Sequence, residues 1–187
     1  ALTAGALDVV RHEAIAVSAS SVAGSKYAAE KAVDGNGESR WASLGNPELP
    51  QWVELRFAEP VMVDTVYLKL ADDALYGAWA AVELGFSEGA PETHPVAAGA
   101  SLVVLRIPER KTSLLRVAVT ELHAARTYVG LFEVYAAHDP KRELEIRTDA
   151  ARPVPQKDLV IRGRDVHPCV NRSPEEVARA RERAATL

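Results

Sequence analysis

Between Ala14 and Ala137 apolar side chains return at every second position in short bursts, and each burst stops at glycine, proline, asparagine or aspartate. "WVELRF" (Trp52 to Phe57) is followed by Pro60, and "VMVDTVYLKL" (Val61 to Leu70) sets Val66, Leu68 and Leu70 on one side. "AAVELGFS" alternates Val82, Leu84 and Phe86 with Glu83 and Gly85, and "SLVVLRIP", "SLLRVAVTEL" and "GLFEVYAA" continue the pattern. Successive strand residues point to opposite faces, so a period of two with breakers every few residues specifies half-buried antiparallel strands. Between Ala14 and Ala137 no stretch of useful length carries the helical period. The expected fold is all-β, a sandwich or barrel.

The chain of 187 residues is long enough for one domain with a core and an appendage. A net charge of −4 does not suit a general nucleic-acid binder, which needs a basic footprint, so no nucleic-acid partner is expected. No run approaches the ~20 apolar residues of a membrane span. Leu44, Leu49 and Leu75 are too few and too interrupted to make membrane-inserting loops, so no membrane partner is expected either. The single cysteine, Cys169, allows no internal disulfide. The start at Ala1-Leu2-Thr3 is that of a processed or cut chain, which leaves room for a removed signal peptide.

Residues 1–13 read as a lead-in, 14–137 as the β domain, and 138–172 as an extended connector with two short strands, "ELEIRT" and "DLVIRG". Residues 173–187 begin with Ser173 as an N-cap, Pro174 at the first helical position and Glu176 completing a capping box. The short C-terminal helix this predicts is mostly alanine on its apolar side, and it reads as the start of a following domain.

The stretch from Lys31 to Trp41, "KAVDGNGESRW", concentrates glycine with oxygen-bearing side chains. Calcium takes six to eight oxygen ligands, and a loop that supplies them must turn sharply to aim its carbonyls inward. Asp-Gly and Asn-Gly are equally the strongest turn dipeptides, so these residues alone also fit a plain β-turn.

The order "AIAVSASS…YAAEKAVDGNGESRWAS…QWVELRF…VDTVYLKL…VELGFSEG…LLRVAV…VGLFEVYA" resembles the coagulation-factor type C, or discoidin, domain, whose bacterial branch includes carbohydrate-binding modules of family 32. The resemblance covers Ile15 to Ala137. It implies a galactose-binding-like jelly-roll sandwich, and a non-catalytic module that binds glycan at loops at one end. A structural or protein-interaction domain that binds no sugar is the alternative. It also implies a structural cation, calcium, held by the carbonyl of Lys31, the carboxylate of Asp34 and the carbonyl of Asn36. Ser39 would add its hydroxyl and carbonyl, and the last strand the Phe132 carbonyl and the Glu133 carboxylate. Ser39 stands where the family more often has threonine. In the family the positions of Trp41 and Trp52 belong to the scaffold, so both rings are expected in the core.

Sugar recognition needs an aromatic face and a few charged or amide groups. The loop "ELHAARTYVG" offers His123, Arg126 and Tyr128, and the loop "ADDALYGAW" offers Asp72, Asp73, Tyr76 and Trp79. Arg126 would suit a uronate or a sulfate, because its planar fork binds such groups in bidentate fashion. These loops vary within the family, so no ligand residue carries over by motif.

Catalytic signatures are missing: there is no Gly-x-Ser-x-Gly, no His-Glu-x-x-His and no phosphate-cradling glycine loop. The histidines, His12, His94, His123, His138 and His167, have no metal-ligand spacing. The chain is therefore not expected to be an enzyme. Its tail, "HPCVNRSPEEVARARERA", weakly resembles the segment that opens the catalytic region of heparinase-like polysaccharide lyases. The partners implied are a polysaccharide or oligosaccharide, including uronic-acid glycans, and a following catalytic domain of a larger bacterial enzyme. Such an enzyme would be secreted, periplasmic or on the cell surface.

Overall fold

The computed structural model describes residues 10–71 and 73–140. The expected connector beyond Pro140, the C-terminal helix, the lyase-like tail, Cys169 and Asp72 lie outside the described residues. The strands are β1 (Val10–Arg11), β2 (Ala16–Ala19), β3 (Trp41–Ala42), β4 (Gln51–Leu70), β5 (Ala78–Phe86), β6 (Glu92–Pro95), β7 (Leu102–Ala124) and β8 (Gly130–His138). Two 3-10 turns, Ser25–Tyr27 and Ala29–Ala32, precede β3. Among the described residues no helix is long and apolar enough to cross a membrane.

Hydrogen bonding runs in the order β1-β8-β4-β7-β5-β6, with β2 on β4 and β3 on β8. All the strand pairs are antiparallel. β4 and β7 are long enough to serve both layers of the jelly roll. Residues 51–56 of β4 pair with 114–119 of β7 and with β2, while 65–70 pair with 102–106 of β7 and with β8. The sequence divides each of these strands in two at a proline; the structure instead runs one strand through. Pro60 lies in the register shift between Arg56 and Val61, and Pro108 lies opposite the shift between Val63 and Thr65. A bulge leaves the local ladder unpaired, so a residue with no N–H is tolerated there.

The alternating residues close the core between the layers. Val53, Leu55, Val82, Leu84, Leu115, Val117, Val66, Leu68, Leu131 and Val134 are all at most 1% exposed. Trp41 joins them, fully buried, with its Nε1–H donating to the Ser21 carbonyl at 2.9 Å. Trp52 does not. It is half-buried on the opposite side of β4, with the Arg116 guanidinium 4.4 Å from its ring, because its neighbour Val53 takes the inward position of the pleat. The folded unit also reaches beyond 14–137. Val10 and Arg11 pair with His138 and Ala137, and Asp139 is buried in a 2.7 Å ion pair with Arg106.

Candidate functional site

The loop after the second 3-10 turn is pinned at both ends by core residues, Ala32 and Trp41, each fully buried. Within it Gly35 has φ +71, a conformation that a side chain would strain. Asp34 organises the turn: its Oδ1 accepts from the Asn36 amide at 3.0 Å, and the Ser39 hydroxyl lies 2.7 and 2.8 Å from its two oxygens. Ser39 Oγ also lies 3.0 Å from the Asn36 carbonyl, and the Asn36 side chain accepts from the Glu38 amide at 3.1 Å. Lys31 Nζ sits 3.2 Å from Asp34 Oδ2. Burial raises the Asp34 carboxyl, but the Ser39, Asn36 and Lys31 donors outweigh it and hold the group below its ordinary range.

Glu133 comes to the same loop from β8, with only 7% of its surface exposed. Its Oε1 is buried and has no hydrogen-bond partner among the described residues, and Arg11 stands 3.7 Å from Oε2. Burial pushes its carboxyl up to about 7; Arg11, the Gly35 amide and Lys69 pull the other way, and Asp34 adds to the rise. Lys69, opposite Glu133 on β4, donates to the Gly37 carbonyl at 2.8 Å. Two carboxylates from distant elements thus share one loop, and one of their oxygens is unanswered. Beside the loop a cleft of about 390 Å³ is lined by Arg11, His12, Glu13, Asp34, Gly35 and Tyr135, among others.

The expected ligand residues divide into those the fold gathers and those it does not. Tyr76 and Tyr128 meet through a parallel backbone bridge, with ring centroids 5.8 Å apart. Tyr76 is only 5% exposed and Tyr128 is half-buried. Asp73 is exposed at the head of the same turn, where its side chain accepts from the Leu75 amide at 2.9 Å. Arg126 is exposed and donates to its neighbour, the Ala125 carbonyl, at 3.2 Å. His123 Nε2 lies 2.8 Å from the Val96 carbonyl, toward β6. Trp79 is buried at 3% exposure and belongs to the core.

Three residues at this end were not named as glycan-binding candidates from sequence. Arg40 lies 4.8 Å from the Tyr76 ring centroid and 4.7 Å from that of Phe132, and its Nη1 is 3.2 Å from Asp73 Oδ2. Lys69 Nζ lies 5.1 Å from the Phe132 centroid. Phe132 is the extra residue of a bulge, since Lys69 pairs with Glu133 but Leu70 with Leu131. Its outward ring was foreshadowed by the adjacent pair Leu131-Phe132, which breaks the alternation of β8.

The F5/8 type C domain model matches residues 16–130. The chain belongs to this family. Comparison with curated protein sequences finds no match. Solved structures similar to the domain include chitosan-binding module 2 of a Paenibacillus chitosanase/glucanase in complex with chitotriose, at 23% identity and a TM-score of 0.53, covering 66% of this chain and 95% of that one. A family 32 module from Clostridium perfringens, in complex with GalNAc-β-1,3-galactose, is 20% identical with a TM-score of 0.56, covering 65% and 93%. The family 32 module of AlyQ, in complex with 4,5-unsaturated mannuronic acid, is 19% identical with a TM-score of 0.53, covering 69% and 98%. At these identities the likeness is one of fold, and it agrees with the jelly roll expected from the sequence. The family is one of non-catalytic modules, and this F5/8 type C domain is not itself an enzyme. The lyase-like tail lies outside the matched span.

Proposed function

We propose that the domain is a carbohydrate-binding module that takes an acidic glycan at the loop end of the sandwich, on the patch formed by Tyr76, Tyr128, Phe132, Arg40 and Lys69. The observation that carries this is the guanidinium of Arg40 set between two aromatic rings, with a second cation, Lys69, against one of them. Aromatic faces suit the apolar side of a pyranose, and a planar cation fork suits a uronate or sulfate. The unsaturated mannuronate held by the AlyQ module supports this class of ligand for the fold. Arg40 takes over the anion-recognising role that the sequence suggests for Arg126. As an accessory of a larger secreted bacterial enzyme that degrades polysaccharide, such a module would hold the enzyme near its substrate; the catalytic partner would follow the 138–172 connector.

Calcium would tie the loop to β8. Its ligands would be the Asp34 and Glu133 carboxylates, the Ser39 hydroxyl, and carbonyls of Lys31, Asn36, Ser39 and Phe132. The buried, unpartnered Oε1 of Glu133 facing a loop centred on Asp34 supports the fit, since a divalent ion would answer charge that Lys31, Lys69 and Arg11 now answer from the side. The cation supplies rigidity only. Identical melting in calcium and in chelator would overturn its role.

The glycan reading is tested by titrating oligouronates and a glycan array against the wild type, Tyr128→Ala and Arg40→Ala. Both substitutions should weaken binding at least tenfold while the chain stays folded; unchanged binding would overturn the site. One feature favours the alternative of a protein-packing domain. Leu44 and Leu75 are 57% and 55% exposed on loops that adjoin Tyr128, and Leu49 is 38% exposed on the Leu44 loop. If no glycan binds the wild type, that apolar rim becomes the functional face.

A further inference from the structure

At the other end of β8, about 25 Å from Gly130 by strand rise, three metal-ligating side chains converge that neither the glycan patch nor the calcium loop uses. Asp64 comes from β4, Glu109 from β7 and His138 from β8, and their ligand atoms all lie within 4.8 Å of one another. We propose that they form a site for a zinc-class divalent transition metal.

The geometry is close to what such an ion requires. His138 Nε2 stands 2.8 Å from Glu109 Oε2 and 3.8 Å from Asp64 Oδ2. An ion with ~2.05 Å bonds to nitrogen and oxygen at tetrahedral angles holds its donors about 3.3 Å apart. The two separations from His138 straddle that value, and the one between the carboxylates is within 4.8 Å, so a rotation of the exposed Glu109 side chain by up to about 1.5 Å completes the set.

The backbone is built to bring these groups together. Asp64 falls in the register shift of β4 between Val63 and Thr65, and Glu109 falls in the stretch of β7 between Arg106 and Arg110 that bulges opposite it. Bulges re-aim side chains, and here both carboxylates come from one bulge. Asp64 is also oriented from behind. Its Oδ1 accepts from the Thr65 hydroxyl at 2.7 Å and the Asp139 amide at 2.8 Å, while Oδ2 is its nearer oxygen to His138. Arg106 Nη1 in turn lies 2.7 Å from both Thr65 Oγ1 and Asp139 Oδ2. A ligating carboxylate fixed by such outer hydrogen bonds is the usual construction of a metal site.

The donor set names the ion class. Imidazole beside two carboxylates suits zinc, cobalt(II) or nickel(II), whereas calcium and magnesium take oxygen. A remaining coordination position is open to water. The ion would clamp β4, β7 and β8 together at the C-terminal end of β8.

Cobalt(II) is the probe, titrated into the full chain with calcium in excess so that the loop site is filled throughout. The visible d–d absorption of a site of low coordination number should appear and be bleached by zinc. His138→Gln and Glu109→Gln should each lower cobalt affinity at least tenfold, with melting in chelator unchanged because both side chains reach the surface. No d–d band at millimolar cobalt would overturn the site. So would an undiminished band in His138→Gln, which would assign the metal to other histidines or the tail. Because calcium is present in every arm, failure here leaves the calcium and glycan proposals untouched.

Discussion

Gly130 should be the most informative single position at the loop end. It opens β8 opposite Ala42, and a Cβ placed on it would stand 2.4 Å from Tyr76 Cδ1, 2.6 Å from Cε1 and 3.0 Å from the Ala71 Cβ. Ordinary contact begins at 3.4 Å, so Gly130→Ala requires the Tyr76 ring to retreat by about 1 Å. The ring has little freedom to do so: Tyr76 is 5% exposed, its backbone bridges to Tyr128, and Arg40 lies against its face. Overpacking of this kind costs about 1–3 kcal/mol, or roughly 4–12 °C of melting temperature for a domain of this size. Calorimetric melting of the wild type, Gly130→Ala, Tyr76→Ala and the double variant should show the cost shrinking to under about 1 kcal/mol in the Tyr76→Ala background, where the ring is gone and the Ala71 contact remains. An equal cost in both backgrounds would refute the steric argument. The same variant separates stability from function: if Gly130→Ala melts lower yet binds glycan as well as the wild type at 25 °C, the Tyr76 patch is not where the glycan sits.

In chelator, Glu133 titrates at about 7 against an ordinary 4.5, so between those values the folded chain holds a proton that the unfolded chain has released. Its contribution to stability is full below pH 4.5 and lost as the pH rises through 7, and chelated melting curves should fall across that window. Calcium must displace this proton, so its affinity should rise about tenfold per pH unit up to about 7 and level above it; a flat calorimetric titration series between pH 5 and 7 would contradict this. Ser43→Ala should cost about 1–3 kcal/mol in urea unfolding with an unchanged slope, because the fully buried Ser43 hydroxyl accepts from the buried Val129 amide at 2.9 Å and alanine leaves that donor unpaired. Chelation should also weaken glycan binding severalfold at temperatures where the domain remains folded, measured by titration in calcium and in chelator; equal affinities would uncouple loop and patch.

The fold was readable because antiparallel strands with one buried face must alternate, and "WVELRF" and "VELGF" do so without interruption. The prolines misled at Pro60 and Pro108, where the sequence indicates strand ends and the structure has bulges inside β4 and β7. A missing N–H marks an unpaired position equally well in either case. Trp52 was misplaced for a similar reason: an aromatic beside Val53 has no intrinsic claim on the inward side, and the pleat gave that side to valine. Within the candidate site, Asp34 and Glu133 were legible through the family resemblance. Arg40 and Lys69 were not, since their meaning depends on rings contributed by Tyr76 and Phe132 from other strands. The Asp64, Glu109 and His138 cluster is harder still. Its members lie in three strands with no short spacing between any two, so only the β4–β7 bulge brings them together.

The loop from Lys31 to Trp41 connects the two halves of the proposed site by covalent reach. Asp34, at one end, shares its charge environment with Glu133; Arg40, at the other, lies between the Tyr76 and Phe132 rings. Between them the Gly37 carbonyl is held by Lys69, which itself lies against Phe132. Phe132 and Glu133 are consecutive residues of β8, so a cation on the Glu133 carboxylate and the Phe132 carbonyl would act on the same backbone that presents the ring under Arg40. A cation here would need no contact with sugar to affect recognition. By fixing a loop whose anchors, Ala32 and Trp41, are already buried in the core, it would lower the ordering cost that Arg40 would otherwise meet on binding.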